Sequence, residues 1–188
     1  MKKPILYFAL IIAFVSCKTS QDGEGRTEPE IKSTSPDAYF EELKSIICDN
    51  VIVIAENEFF SDVLYSKISE LLLVECQDDE IRMIFKLEDE GRMTLSVSLF
   101  QSELLLKHDV RDKNLAPADV TMFGGFLSEI SENNTATFES HKFGMQTMWP
   151  GYEDVSWELH LSKDSEYIIY RQKKNNDTVL EILFSVID

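Results

Sequence analysis

Long hydrophobic runs are nearly absent from this chain. The longest, Ile5–Val15, has 11 residues. A helix of that length reaches about 16 Å, against a hydrocarbon core of ~30 Å. Positive charge is scarce too: 18 Lys and Arg stand against 34 Asp and Glu, a formal net charge of −16. That deficit argues against nucleic acid as a partner, because a phosphate-binding face must be basic. It also argues against adsorption to an anionic membrane through basic residues. Cysteines and histidines number three each. There is no Cys-x-x-Cys pair and the histidines are far apart, so neither a metal set nor a cofactor is expected. No Ser or Cys stands in a recognisable nucleophile motif, and His141 and His160 have no evident partner. The chain does not read as an enzyme.

What is present is enough apolar material to fold: 44% hydrophobic and 11% aromatic residues, too rich for a disordered acidic chain. Residues 1–16 read as a signal peptide, with Lys2 and Lys3 ahead of the apolar run. Phe14-Val15-Ser16-Cys17 then resembles a bacterial lipobox, with Phe14 where most have Leu. The resemblance implies that Cys17 becomes a lipidated mature N-terminus. Residues 17–36 read as a nearly neutral, Ser- and Gly-bearing tether with one large aliphatic residue, Ile31, too little to order itself. The chain is thus expected to be a lipoprotein of the cell envelope. It would be held by its lipid on the periplasmic face of an outer membrane or at the cell surface.

The remaining residues, 37–188, are expected to form a single domain. They carry 13 basic and 30 acidic residues, a net charge of −17, so the acidity belongs to the folded part. With Cys17 lipidated, Cys48 and Cys76 are a candidate disulfide in an oxidising compartment. It would be worth on the order of 3 kcal/mol. Two buried free thiols are the alternative.

The domain opens with helix signals. Ser35-Pro36-Asp37 supplies a cap, and Tyr39, Phe40, Leu43, Ile46 and Ile47 recur at helical spacing. The period then changes to two. Strands are expected at Val51–Ala55, Ser69–Cys76 and through Ile81, Met83, Phe85 and Leu87. Residues 56–67 read as a loop with one turn. Asp89-Glu90-Gly91-Arg92 reads as a tight turn with Gly91 left-handed. Further strands follow through Leu95, Val97 and Leu99, then at Leu104–Asp109, Ala118–Ser128 and Thr135–Ser140. Val155–Leu161, Tyr167–Gln172 and Leu180–Val186 complete the set. Gly124-Gly125 reads as a bend. No βαβ spacing occurs, which excludes parallel nucleotide-binding folds. Eight to ten short antiparallel strands after one helix predict a mainly β fold. The expected form is an up-and-down, lipocalin-like barrel, with a two-sheet sandwich as alternative.

Through the middle of the chain run Lys107-His108-Asp109-Val110-Arg111, Asp119-Val120-Thr121-Met122-Phe123-Gly124-Gly125 and Trp157-Glu158-Leu159-His160-Leu161. In this order they resemble an uncharacterised family of exported bacterial β-proteins. Members of that family often carry a further His at the place of Val110 and another near Asp112; both are missing here. The resemblance implies an exported β-domain and leaves activity open.

Lys107, His108, Asp109 and Arg111 form the densest polar cluster. On a strand His108 shares the face of Leu104 and Leu106, pointing inward, while Lys107 and Asp109 point outward. Such a His either binds a ligand group and titrates or is satisfied by a nearby backbone carbonyl or side chain. Trp149-Pro150-Gly151-Tyr152 reads as a lid or a plug over a barrel end. Two functions remain open: a barrel holding a small apolar ligand, and an acidic protein-interaction or inhibitor lipoprotein of the envelope.

Overall fold

A computed structural model describes residues 35–60, 67–140 and 154–187. The expected signal peptide, Cys17, the tether up to residue 34, His141 and the Trp149–Tyr152 loop lie outside the described residues. A helix, α1 (Pro36–Cys48), is followed by β1 (Val51–Phe59), β2 (Ile68–Cys76), β3 (Glu80–Leu87), β4 (Arg92–Phe100) and β5 (Glu103–Arg111). Then come β6 (Phe123–Ile130), β7 (Thr135–Glu139), β8 (Val155–Leu161), β9 (Tyr167–Lys174) and β10 (Asp177–Ile187).

The helix begins where its cap chemistry places it. Ser35 accepts a hydrogen bond from the Ala38 N–H at 3.2 Å, and Pro36 occupies the first turn, where no donor is needed. Its Tyr39, Phe40, Leu43, Ile46 and Ile47 are all buried. The Tyr39 hydroxyl donates to Leu159 O at 2.6 Å, and Lys44 Nζ donates to Asp78 O at 3.1 Å. Asn134 Nδ2 donates to Glu42 Oε1 at 2.9 Å. α1 therefore lies across the barrel end that carries the β2–β3 and β6–β7 turns. A disulfide between Cys48 and Cys76, with Cα atoms 6.1 Å apart, ties its last turn to the end of β2.

The strands form one sheet in the order β1-β10-β9-β8-β7-β6-β5-β4-β3-β2, with every neighbouring pair antiparallel. The sheet curls into a nearly closed, lipocalin-like barrel; the two-sheet sandwich is not the arrangement observed. Alternation decides what fills it. Ile81, Met83, Phe85 and Leu87 of β3 face inward and are buried, as are Val155, Trp157, Leu159 and Leu161 of β8. Eight aromatic side chains are fully enclosed: Trp157, Tyr39, Tyr170, Phe40, Phe85, Phe123, Phe138 and Phe184.

Four details depart from the sequence expectation. β1 runs to Phe59, not Ala55, because a bulge between Ile54 and Glu56 absorbs an irregular register and lets pairing with β10 continue. β6 starts at Phe123, not Ala118: Met122 is left-handed, φ 54°, which breaks the extended run. In the β3–β4 turn the left-handed residue is Glu90, φ 65°, not Gly91. Gly91 is needed for space instead, since a Cβ there would lie 2.5 Å from Arg111 O. Gly124 and Gly125 likewise mark close backbone approach: Cβ atoms would collide with Leu106 O on β5 and Glu139 O on β7.

The barrel has one seam. β1 and β2 end the sheet, and among the described residues no backbone ladder joins them. The Asn57 side-chain amide crosses the gap to donate to Ile68 O at 2.5 Å.

Candidate functional site

The four residues of the polar cluster sit on β5 but do not form one site. The strand period sends His108 to the barrel axis and Lys107, Asp109 and Arg111 to the outer face. Outside, Arg111 clamps Asp109 with two hydrogen bonds, Nε to Oδ1 at 2.7 Å and Nη2 to Oδ2 at 2.8 Å. The Thr121 hydroxyl donates to the same Asp109 Oδ1 at 3.0 Å and accepts from the Val110 N–H at 2.8 Å. This pins the long β5–β6 connection to its strand. The Asp112 carboxylate accepts from the Asn114 and Ala116 N–H groups and shapes the turn that follows. These groups organise a loop.

Lys107 lies beside Ser96, its register partner on β4, which in turn faces Arg82 on β3. With Glu75, Glu80, Ile84, Thr94, Asp109 and Met122 these residues line a shallow groove of about 370 Å³ on the outer face of the sheet. Arg82 is spoken for by Glu80 at 2.5 Å and by Glu75 at 3.9 Å.

Inside, His108 is wholly buried, and its Nε2 is 2.7 Å from the Tyr170 hydroxyl on β9. The ring stacks on Phe123 with centroids 4.5 Å apart and sits 5.3 Å from Trp157. Burial disfavours the imidazolium and pulls the His108 pKa down to about 3, while a backbone hydrogen bond with Phe123 acts weakly the other way. His108 is neutral across the physiological range, so it is not the titrating group that a solvent-facing His would be. Trp157 and Gln172, register partners on β8 and β9, are also buried. Among the described residues Trp157 Nε1 and Gln172 Oε1 have no hydrogen-bond partner.

Sequence reasoning placed His108 correctly but did not supply its partners. Tyr170 comes from a strand far along the chain, and no local pattern links the two. Gln172 left a trace: it continues the inward period of Ile168 and Tyr170, an amide on an apolar face. His160 does have a partner, contrary to expectation: its Nδ1 lies 3.0 Å from Thr135 Oγ1 across the β7–β8 ladder. Partial burial, then nearby Arg171, lowers its pKa.

On the outer face of β8, β9 and β10, Arg171 bonds Glu181 at 2.5 Å and approaches Glu158 at 3.7 Å, while Lys173 also bonds Glu158. Among the described residues no group of three His, Cys, Asp or Glu is disposed to hold a metal ion. The chain matches no protein-family model, no curated protein and no solved structure.

Proposed function

We propose that the chain is an exported lipoprotein, anchored through Cys17 on the cell envelope, whose acidic barrel serves as a scaffold for binding another protein. One observation carries this reading: the barrel axis is occupied by the protein's own side chains. Six fully buried aromatics outside α1 and the apolar face of α1, which adds Tyr39 and Phe40, take up the space in which a lipocalin-type barrel would hold a guest. The groove beside Lys107 lies on the outer face of the sheet. Recognition then falls to the exterior, which in residues 37–188 carries a net charge of −17. A basic partner is favoured, with strongly salt-dependent association. The disulfide supports export, since such bonds persist in oxidising compartments.

Pull-down from envelope extract at low and high salt tests the reading. A basic envelope protein retained at low salt and released at high salt is the expected result. A profile indifferent to salt, or no retained protein, counts against it.

A second reading, a barrel for a small guest, draws on Trp157 Nε1 and Gln172 Oε1. Both are buried polar atoms, and a guest with one acceptor and one donor would satisfy them. Such a guest would co-purify at one per barrel.

A further inference from the structure

Residues 37–188 hold 30 acidic and 13 basic side chains, so cations are outnumbered more than two to one. Lys107 on β5 nevertheless stands alone. Among the described residues its ammonium makes no ion pair and no hydrogen bond. Its surroundings explain this. Its register partners are Ser96 on β4 and Gly124 on β6, and Leu105 precedes it on the same face of β5. Asp109, which follows it on that face, is taken up by two bonds from Arg111 and one from Thr121. The other carboxylates of the groove, Glu80 and Glu75, lie 2.5 Å and 3.9 Å from Arg82, and Ser98 also donates to Glu80. Counted with Arg111, the cations Arg82, Lys107 and Arg111 meet the carboxylates Glu75, Glu80 and Asp109. The groove is therefore neutral within a domain of net charge −17.

Hydroxyls floor the groove. Arg82, Ser96 and Lys107 stand in one row across β3, β4 and β5, and Thr94 is the next residue on the same face of β4. Ser96 lines the groove while only 7% exposed, and its hydroxyl has no hydrogen-bond partner among the described residues. The Thr94 hydroxyl likewise has none. Buried polar groups are normally bonded, so a polar side chain sunk in a groove and left without a partner points to a ligand. Gly124 leaves the β6 side of Lys107 without a side chain. Two apolar residues, Ile84 and Met122, also line the groove. Met122 is 60% exposed and left-handed at φ 54°, a backbone state that costs energy in a residue other than glycine. The groove's volume of about 370 Å³ lies within the range of small-molecule sites.

We infer that this groove binds the carboxylate of a small, singly charged ligand with an apolar body. The carboxylate oxygens accept from the Lys107 ammonium and from the Ser96 and Thr94 hydroxyls. The apolar body lies over Ile84 and Met122. One unpaired cation matches one negative charge, whereas a dianion such as a phosphate monoester would turn its surplus charge on Glu75, Glu80 and Asp109. A free organic acid and the C-terminus of a peptide offer the same chemistry. The site stands apart from whatever the acidic exterior binds. It also lies on the outer face, so its ligand exchanges with solvent and is lost on purification, unlike a guest in the barrel axis.

The test titrates the isotope-labelled full chain with sodium hexanoate, hexanol, hexyl phosphate and a short apolar peptide with a free or an amidated C-terminus, and follows backbone amide shifts. Hexanoate is expected to give saturable shifts centred on Thr94, Ser96 and Lys107, and hexanol none. Lys107→Gln should weaken hexanoate about tenfold or more, and Ser96→Ala several-fold. Lys107→Arg, which keeps the charge, should retain most of the affinity. Lys113→Gln, exposed on the β5–β6 connection, should change nothing. Thermal melts check that each variant folds; these are surface positions tolerant of change. Tighter binding by the free peptide than by hexanoate assigns the carboxylate to a chain terminus, and the reverse assigns it to a free acid. No saturable shift, shifts centred elsewhere, unchanged affinity in Lys107→Gln, equal binding by the amidated peptide, or tighter binding by hexyl phosphate overturns the inference. Each of those results leaves a salt-sensitive protein partner untouched, so the two readings fail separately.

Discussion

His108 Nε2 and the Tyr170 hydroxyl meet at 2.7 Å in the barrel interior, between strands that are not neighbours in the sheet. The contact spans the barrel, and it makes the histidine a structural part whose protonation opposes folding. In the unfolded chain His108 takes up a proton below about pH 6.5. In the folded chain it resists until about pH 3. Between those values the unfolded state holds one more proton, so stability falls on acidification by up to roughly 1.4 kcal/mol per pH unit from this group. Denaturant melts of wild type and His108→Gln from pH 7 to 4 should show a shallower acid slope in the variant. Equal slopes would mean that His108 is not buried as a neutral group.

The hydroxyl of Tyr170 has its own measurable role. Tyr170→Phe keeps the ring and the volume but removes the buried partner of His108 Nε2. Loss of about 1–3 kcal/mol at neutral pH is expected in chemical denaturation. No loss would show that the pair contributes nothing net.

The covalent tie between α1 and β2 should stabilise the fold chiefly by restricting the unfolded chain. Replacing Cys48 and Cys76 by Ser together is expected to cost about 3 kcal/mol and to speed exchange in residues 68–76. An intact-mass comparison with and without reductant reads the bond directly, as a gain of about two mass units on reduction.

Gly124 cannot carry a side chain. Its Cβ would strike the Leu106 carbonyl, part of a central ladder that has little freedom to move. Gly124→Ala should cost 1–3 kcal/mol, roughly what forced overpacking costs, and lower the melting temperature by several degrees. An unchanged melting temperature would show that β5 and β6 can part without cost.

The period-two alternation exposed most of this fold in the sequence. β3, β4 and β8 needed only their inward residues, and the Ser35-Pro36 cap announced α1. Three things were not legible, each for a physical reason. The contact of His108 with Tyr170 depends on how the sheet closes, which no local window contains. The left-handed turn residue fell to Glu90 because Gly91 was required for clearance from Arg111 O, a contact between distant parts of the chain. The seam followed from strand order: β1 and β2 are consecutive in sequence, like pairs that do join, and no local pattern marks them as the pair that does not. The polar cluster at 107–111 was legible as a cluster but not as its division, with one member inside and three outside.

The central claim is that this barrel is filled by its own side chains and works through its surface. Native mass spectrometry of the purified chain tests it most directly. The account predicts one species, the lipid-modified polypeptide beginning at Cys17, with no further small molecule. A stoichiometric guest that departs only on unfolding, and whose retention drops in a Trp157→Phe or Gln172→Leu variant, would contradict it.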